Sequence, residues 1–349
     1  MLSHGLGVQN EDMRDKLRAM ATETMAIIEA GGYRSPGGRD VQIGASVRAA
    51  VAGTRLYAPA EKIPASLPAD RGAPVTEVTD ETSLSAARRL GADVACLVFA
   101  SAKNPGGGFL SGAQAQEESI ARSSALYPCQ SAAREFYDFH RRQGDLRYSD
   151  HVIYSPGVPV IRADDGTLLD QPYAVSFLTA AAPNLGAIGA SQPRAVASVP
   201  GVLESRAERV LAVAAAHGHR KLVLGAWGCG VFRNDPAVVA AAFAAQLARA
   251  QGRFDHVVFA VLDHQSGVPT RAAFTRVILP PGPAMSDVTS ASASLRRAGS
   301  WLAAGPRCLA RVVGYRYGGR HFFRHSADLR QPGQGGPGHD FRDVVQRHD

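Results

Sequence analysis

Hydrophobic and polar positions along the chain follow a helical period at the start and then alternate between two periods. Residues 11–30 place apolar side chains at helical spacing and end at Gly31 and Gly32, which predicts a helix. From about Val75 onward, apolar strand-like runs alternate with helical patterns; the strands fall at 95–100, 173–180, 221–226 and 256–262, and the helices at 80–90, 113–126, 130–143, 201–217 and 235–251. Strands that alternate with helices predict an α/β sheet with both faces covered.

Changes in composition and periodicity along the chain predict three regions. Residues 1–72 form a small N-terminal helical accessory region, and residues 73–280 form the α/β domain. Beyond Pro280 and Pro281, Ser- and Ala-rich sequence gives way to Gly, Arg and His without a sustained period. We therefore expect residues 281–349 to be a poorly ordered tail, with a short local helix at the apolar run that begins at Trp301.

Composition and charge refine this picture. Of 349 residues, 45% are hydrophobic, which is enough to fill a substantial core. The net charge of +7 is uneven, because residues 281–349 contribute +5 with ten arginines and the rest only +2. Four widely spaced cysteines without a CxxC pair argue against a zinc site or a disulfide framework and favour a reducing cytoplasm. No apolar run approaches the ~20 residues of a membrane span, and the start lacks the layout of a signal peptide.

Two loops carry candidate chemistry, and we call residues 104–115 the first glycine loop. Its Gly106, Gly107 and Gly108 follow a strand, and the next helix carries Glu117 and Glu118 in its first turn. Consecutive glycines let the backbone approach a ligand and present N–H groups to an anion such as phosphate. Carboxylates would repel a phosphate, so they suit a group that becomes positive, such as a sugar with an oxocarbenium-like transition state. Adjacent helical residues diverge by about 100°, so the two glutamates are expected to divide the work.

The second glycine loop, residues 225–232, follows the strand at 221–226 and precedes a helix that begins near Pro236. A Gly-rich turn between a strand and a helix predicts a diphosphate site. Cys229 lies in this loop without a neighbouring histidine or carboxylate that would make a thiolate, which favours a small filler over a nucleophile.

The spacing of Gly106–Gly108, seven residues and then Gln116, Glu117 and Glu118 resembles the signature of poly(ADP-ribose) glycohydrolases. The sequence of residues 112–119 is similar to that of the bacterial-type branch. So are the sequences of residues 29–33, 150–156, 175–184 and 225–232. The resemblance covers residues 13 to 277 approximately and implies a macrodomain-like three-layer fold with a central mixed sheet. It also implies a place in the DNA damage response, with ADP-ribosylated proteins as partners.

The resemblance implies a glycosidase that hydrolyses the ribose–ribose bond of poly(ADP-ribose). The histidines have no metal-like arrangement, and the chain contains no HExxH, P-loop or GxSxG motif, so we expect catalysis without a metal or cofactor. The resemblance assigns the general acid/base to Glu118, and leaves Glu117 to orient ribose hydroxyls. The substrate-binding candidates are Asn104, Gly106, Gly107, Gly108, Gln116, Ala226, Gly228, Cys229, Gly230, Val231 and Phe232, with Phe232 against the ribose whose bond breaks.

Each candidate also has a structural alternative. The glutamate pair could only complement the helix dipole; Gln116 could cap the turn, Asn104 could be an ordinary turn residue, and Phe232 could belong to the core. Three other functions stay open: hydrolysis of single ADP-ribose groups on protein or nucleic acid, non-catalytic ADP-ribose binding, and nucleic-acid binding through the tail arginines.

Overall fold

The computed structural model describes residues 2–64, 68–70, 72–279, 313–317 and 320–324. The helices are α1 (Leu2–Ala30), α2 (Gly44–Ala52), α3 (Ser83–Leu90), α4 (Gln116–Ser123), α5 (Leu126–Ala132), α6 (Arg134–Arg142), α7 (Leu185–Ser191), α8 (Val199–Ala216), α9 (Pro236–Arg249) and α10 (Pro269–Ile278). The strands are β1 (Gly32–Arg34), β2 (Asp40–Gln42), β3 (Arg55–Tyr57), β4 (Val75–Thr79), β5 (Val94–Phe99), β6 (Val152–Arg162), β7 (Leu168–Ala180), β8 (Lys221–Gly225), β9 (His256–Ala260), β10 (Val313–Tyr317) and β11 (Arg320–Arg324). Phe109–Ser111 and Pro193–Ser198 form 3₁₀ turns.

A seven-stranded mixed sheet has the order β3-β6-β7-β5-β8-β9-β4. Strands β7, β5, β8, β9 and β4 run parallel, whereas β6 and β3 are antiparallel to their neighbours. Phe99 pairs with Ala180, and Gly225 pairs with Ala260. We call the edge where β5, β7, β8 and β9 end the carboxyl edge, because loops that follow these strands leave the sheet on the same side.

Helices cover both faces of the sheet. Successive side chains of a strand point to opposite faces, and β5 divides accordingly. Its Leu97 is buried with the apolar faces of α8 and α9, whereas Cys96 and Val98 are buried with α2, α3 and α5. The fold therefore has three layers around a central mixed sheet, which confirms the predicted architecture.

Local sequence explains where the elements next to the carboxyl edge begin. Asp235 caps α9, because its carboxylate accepts the N–H of Ala237 and Pro236 occupies the first turn. The five residues 94–98 of β5 are all buried, as expected of a strand with parallel neighbours and two covered faces. This rigid strand and the capped helix flank the loops described below.

The predicted elements and the observed ones differ in places. The single helix expected at 130–143 is two helices, α5 and α6, and the long strand β6 was not expected. The region 1–72 also contains strands, and its β3 pairs with β6 at one end of the main sheet. That region is thus more than a helical accessory, although the domain boundary at residue 72 stays a prediction.

The chain divides into two units, and the second begins at Pro283. Within it the structure describes β10 and β11, which pair antiparallel. The prediction of a poorly ordered tail does not include this pair of strands. The other residues of this unit, with the helix expected near Trp301, lie outside the described residues. Among the described residues, no helix combines the length and apolar character that crossing a membrane requires.

Candidate active site

Both glycine loops leave the sheet at the carboxyl edge. The first follows β5 and leads into α4, and the second follows β8 and leads into α9. Since β5 and β8 are adjacent parallel strands, the fold brings the two loops side by side. The carboxylates of α4 and the Gly-rich turn therefore follow neighbouring strands on the same side of the sheet.

Glu117 is buried, with 2% of its surface exposed. Its Oε2 accepts the N–H of Ser101 at 2.6 Å, and its Oε1 accepts a hydrogen bond from Nε2 of Gln130 at 2.9 Å. Burial raises the pKa of Glu117 to about 8, with a further upward contribution from Glu118, although the two hydrogen bonds act in the opposite direction. Near pH 7 this carboxyl therefore holds its proton for most of the time.

Glu118 is only partly buried and lies directly on the backbone of the first glycine loop. Its Oε1 accepts the N–H of Gly108 at 3.0 Å. Gly107 has a φ of +58°, and a Cβ at that position would meet Cδ of Glu118 at 2.9 Å, closer than real Cβ contacts. Glycine at this position adopts the left-handed conformation without strain and lets the carboxylate of Glu118 approach the backbone, whereas a Cβ would displace the carboxylate.

The prediction that the first glycine loop presents bare N–H groups to an anion is wrong. The N–H of Gly106 donates to Oε1 of Gln130 at 2.8 Å, and that of Gly107 donates to the carbonyl of Asn104 at 3.0 Å. The third N–H is the one that Glu118 accepts. The loop folds back on itself, so its glycines serve close packing of backbone and carboxylate.

Gln116 points toward β5. Its Oε1 accepts the N–H of Phe99 at 2.9 Å, and its Nε2 donates to the carbonyl of Leu97 at 2.8 Å and to Oγ of Ser83 at 3.0 Å. Both amide hydrogens are thus donated within the protein, and the side chain ties the start of α4 to the sheet. A contact between Gln116 and ligand stays a prediction.

Gln130 on α5 was not identified from the sequence. Its side chain is fully buried and connects two parts of the site, because Oε1 accepts from Gly106 while Nε2 donates to Glu117. A weaker contact at 3.4 Å joins Nε2 to Oγ1 of Thr179 on β7. No motif surrounds Gln130; the one signal is a polar residue that directly follows the mostly apolar start of α5.

Helix α1 braces the far end of the first glycine loop. Nε of Arg14 donates to the carbonyl of Ser111 at 3.1 Å, and Oγ1 of Thr24 donates to the carbonyl of Arg122 in α4 at 2.6 Å. Gly112, with a φ of +77°, leaves no room for a Cβ against the backbone of Arg14. The loop is therefore held at both ends, by Gln130 and by α1.

The second glycine loop keeps donors available. Among the described residues, the N–H groups of Gly230, Val231 and Phe232 have no acceptor, whereas that of Cys229 donates to the carbonyl of Ala226 at 3.1 Å. Three successive unused N–H groups at the carboxyl edge can bind an anion. This loop, unlike the first, retains the property predicted for a diphosphate site.

Buried groups fix the shape of the second glycine loop. Nε1 of Trp227 donates to the carbonyl of Ala180 at 3.0 Å, and Nδ2 of Asn234 donates to the carbonyl of Pro183 at 2.9 Å. Gly228 has a φ of +70°, and a Cβ there would lie 2.6 Å from the Cβ of Ala182. The loop is thus anchored to the segment that follows β7.

The remaining predicted residues differ in exposure. Val231 is 83% exposed at the tip of the second loop, and Phe232 is partly buried beside the ring of Tyr148. Burial raises the pKa of Cys229 to about 12, so the group is a thiol near neutral pH. The side chain of Asn104 is exposed, while its backbone shapes the first loop.

The site consists of carboxyl groups and backbone donors. In the part of the chain that the structure describes, no group of three or more His, Cys, Asp or Glu side chains is placed to hold a metal ion. The arrangement can bind an anion at one loop and transfer a proton at the neighbouring carboxyl group.

Comparison with known proteins gives concordant results. A family model described as the catalytic domain of microbial-type PARG matches residues 21–163. The crystal structure of poly(ADP-ribose) glycohydrolase from Thermomonospora curvata is 54% identical, with a TM-score of 0.70, and the match covers 75% of this chain and 99% of that one. The structure of the same enzyme bound to the inhibitor ADP-HPD is 56% identical, with a TM-score of 0.69 and the same coverage. Poly(ADP-ribose) glycohydrolase from Deinococcus radiodurans in complex with ADP-ribose is 48% identical, with a TM-score of 0.64, over 68% of this chain and 98% of that one. No curated protein matches the chain.

These matches show that the chain is a glycosidase with a macrodomain-like fold, in agreement with its three layers and central mixed sheet. The chain belongs to the microbial-type poly(ADP-ribose) glycohydrolase family.

Proposed function

We propose that the protein hydrolyses the ribose–ribose O-glycosidic bond of poly(ADP-ribose) and releases ADP-ribose. One observation carries the proposal. The carboxylate of Glu118 contacts the backbone of the first glycine loop, and the adjacent second glycine loop has three unused N–H groups. Membership of the family and the two neighbours that hold an inhibitor or ADP-ribose support it.

In this proposal the second glycine loop binds the diphosphate through the N–H groups of Gly230, Val231 and Phe232. Ala226, Gly228 and Cys229 shape the same turn. Binding there places the distal ribose between the second loop and α4. The substrate then lies within reach of the exposed part of Glu118.

Glu118 then acts as general acid and afterwards as general base. It donates a proton to the ribose oxygen of the departing unit as the C–O bond breaks, and the sugar passes through an oxocarbenium-like state. Its carboxylate next takes a proton from the water whose oxygen forms the new bond to the same carbon. Gly108 holds the carboxylate in one orientation throughout, because its N–H donates to Oε1.

Glu117 has a different part in the proposal. Both of its oxygens already accept hydrogen bonds, and burial keeps it mostly protonated near pH 7. We assign it to the orientation of the ribose hydroxyls, with proton transfer left to Glu118. The two glutamates thus divide the work between a buried, fixed carboxyl group and an accessible one.

The test compares the native protein with Glu118→Gln on defined poly(ADP-ribose), with chromatography of released ADP-ribose. Loss of general acid/base catalysis lowers the rate by about 10²- to 10⁴-fold. Glu135→Gln, an exposed carboxylate in the first turn of α6, is the matched control and keeps the native rate. Calorimetric binding of ADP-ribose is expected to persist in both variants. Native protein that binds ADP-ribose and leaves the polymer uncut would contradict the proposal and favour mono-ADP-ribosylated substrates or binding alone.

We further infer that the polymer reaches this site on ADP-ribosylated proteins, in the cytoplasm and in response to DNA damage. Nucleic-acid binding by the arginines of residues 281–349 is a separate hypothesis. Deletion of that segment separates the two, because it would abolish tail-driven binding of nucleic acid and leave hydrolysis of the polymer intact.

A further inference from the structure

A concave surface lies outside the residues discussed so far. It is an open groove of about 550 Å³, which we call the arginine groove. Its lining includes Asp145, Arg147, Gln192, Pro193 and Arg194, contributed by the segment after α6 and the segment after α7. This volume is in the range of small-molecule sites.

The arginine groove shares a chain segment with the aromatic wall beside Phe232. The N–H of Leu146 donates to Oε1 of Gln192 within the groove, and its carbonyl accepts the N–H of Asn184, which follows β7 at the carboxyl edge. Two residues further along, the ring of Tyr148 lies 6.0 Å from the ring of Phe232, between centroids. The segment 145–148 therefore lines the groove through Asp145 and Arg147 and contacts Phe232 through Tyr148.

Tyr148 is held in an uncommon conformation. Its φ is +59°, in the left-handed region that bulky residues rarely adopt. Strain of this kind persists only where the surroundings fix it, and it concentrates at ligand sites. Here the ring also packs edge-on against His140, at 5.7 Å between centroids. The aromatic wall beside Phe232 is thus kept in place despite its backbone cost.

The wall of the groove is rigid for a second reason. Arg206 is 99% buried, and its guanidinium donates to the carbonyls of Arg147 and Ala181 at 3.0 and 2.6 Å. Nε of Arg206 also donates to Asp150 at 2.9 Å. One buried cation therefore joins the groove segment to the end of β7, so a ligand would meet a preorganised surface.

The charge of the groove suits a phosphate ligand. Arg147 forms a two-pronged pair with Asp145, and a third bond joins its guanidinium to Oγ of Ser198. Arg194 is exposed and has no ion pair among the described residues. The groove thus holds one arginine fixed by a carboxylate and one whose charge is not neutralised, while the amide of Gln192 is bonded to the backbone of Leu146 and Gly144.

We propose that the arginine groove binds the second ADP-ribose unit of the polymer, on the side of the bond that departs. The inference rests on the proposed function, since only a polymer places another diphosphate beyond the ribose at Phe232. Arg194 and Arg147 contact that diphosphate, and Tyr148 lies between the two units as a wall that both sugars contact. The groove then makes a chain of units a better substrate than a lone ADP-ribosyl group.

The experiment uses the full chain and reverses one exposed charge, Arg194→Glu. Arg249→Glu is the matched control, because Arg249 is an exposed arginine in the last turn of α9, a helix that starts at the carboxyl edge and runs away from it for 14 residues. Arg194→Lys keeps the charge. Three quantities are measured at low ionic strength: kcat/KM on poly(ADP-ribose), kcat/KM on an ADP-ribose whose leaving group is a small phenol, and the Kd of ADP-ribose.

The expected result for Arg194→Glu is a fall of about tenfold in kcat/KM on the polymer, most of it in KM. At high salt the variant and the native protein are expected to have the same kcat/KM. The phenol substrate and ADP-ribose binding are unchanged, Arg249→Glu matches the native protein, and Arg194→Lys recovers most of the polymer activity. Equal polymer rates for Arg194→Glu and Arg249→Glu would overturn the proposal. So would a parallel fall on the phenol substrate, since the groove would then belong to the first unit's site. If the native protein cuts the phenol substrate and leaves the polymer intact, the proposed function itself fails.

Discussion

Gly107→Ala tests whether the glycine backbone sets the position of the catalytic carboxylate. An alanine Cβ would lie 2.9 Å from Cδ of Glu118 and closer still to its Oε1, whereas real Cβ atoms essentially never approach within 3.0 Å. The hydrogen bond from the N–H of Gly107 to the carbonyl of Asn104 opposes a shift of the backbone, whereas the end of the Glu118 side chain is free to turn. The carboxylate must therefore move away from the N–H of Gly108 by roughly 1 Å, a misplacement that can lower a rate by about 10²-fold.

The same substitution has a second, unrelated cost. At a φ of +58° an L-residue loses about 1–2 kcal/mol relative to glycine, so the free energy of unfolding falls by a similar amount. Gly218→Ala provides the control for this term, since Gly218 has a φ of +79° and no heavy atom lies within 4 Å of the position that an alanine Cβ would take there. It lies between α8 and β8, at the opposite edge of the sheet.

The assay combines urea denaturation with hydrolysis of poly(ADP-ribose) and calorimetric binding of ADP-ribose. Both variants should lose comparable stability and bind ADP-ribose, and only Gly107→Ala should lose about two orders of magnitude in kcat. A Gly107→Ala protein that is destabilised like Gly218→Ala and yet hydrolyses the polymer at the native rate would refute the reasoning, because Glu118 would then not depend on its glycine support.

Three further predictions concern buried groups around the site. Gln130→Leu leaves the N–H of Gly106 without an acceptor and should lower the free energy of unfolding by about 1–3 kcal/mol in urea denaturation; an unchanged midpoint would show that another acceptor replaces it. The folded protein holds an extra proton on Glu117, with a pKa of about 8 against 4.5, so its contribution to stability is complete below pH 4.5 and is lost as pH rises through 8. A pH series of denaturation curves should show a decline of at most about 1.4 kcal/mol per pH unit that Glu117→Gln removes, and an identical slope in that variant would assign the decline to another group. Cys229→Ala should keep native kcat, and native protein treated with iodoacetamide at pH 7 should also keep it, because the pKa near 12 leaves almost no thiolate; inactivation that the substitution prevents would count against a protonated thiol.

The sequence predicts the parts of the fold that depend on local pattern. The apolar run of β5 and the capped start of α9 are visible in it, whereas the adjacency of the two glycine loops follows from the pairing of β5 with β8 in the structure. Strand β6 escapes the pattern because Pro156 and Gly157 interrupt it. The structure places both at a register shift between Ser155 and Val158, where an irregular strand tolerates such residues.

Tertiary partners decide the features that the pattern misses. The break between α5 and α6 falls at Ala133, without the glycine or proline that would mark it. The N–H groups of the first glycine loop are occupied because Gln130, 24 residues beyond Gly106, lies against them in the folded chain. No local rule could identify that pairing, since it depends on how α5 packs beneath the loop. The roles assigned to the individual site residues stay predictions for the same reason.

The contacts of α1 link the chain's first helix to the mobility of the site. Because Arg14 bonds to Ser111 and Thr24 bonds to Arg122, the first glycine loop cannot open at this end while α1 stays docked. Amide hydrogens of the loop and of α1 should therefore exchange with solvent as one cooperative unit. A ligand that protects the loop would slow exchange in α1 as well, so the helix would report occupancy of a site that it does not line.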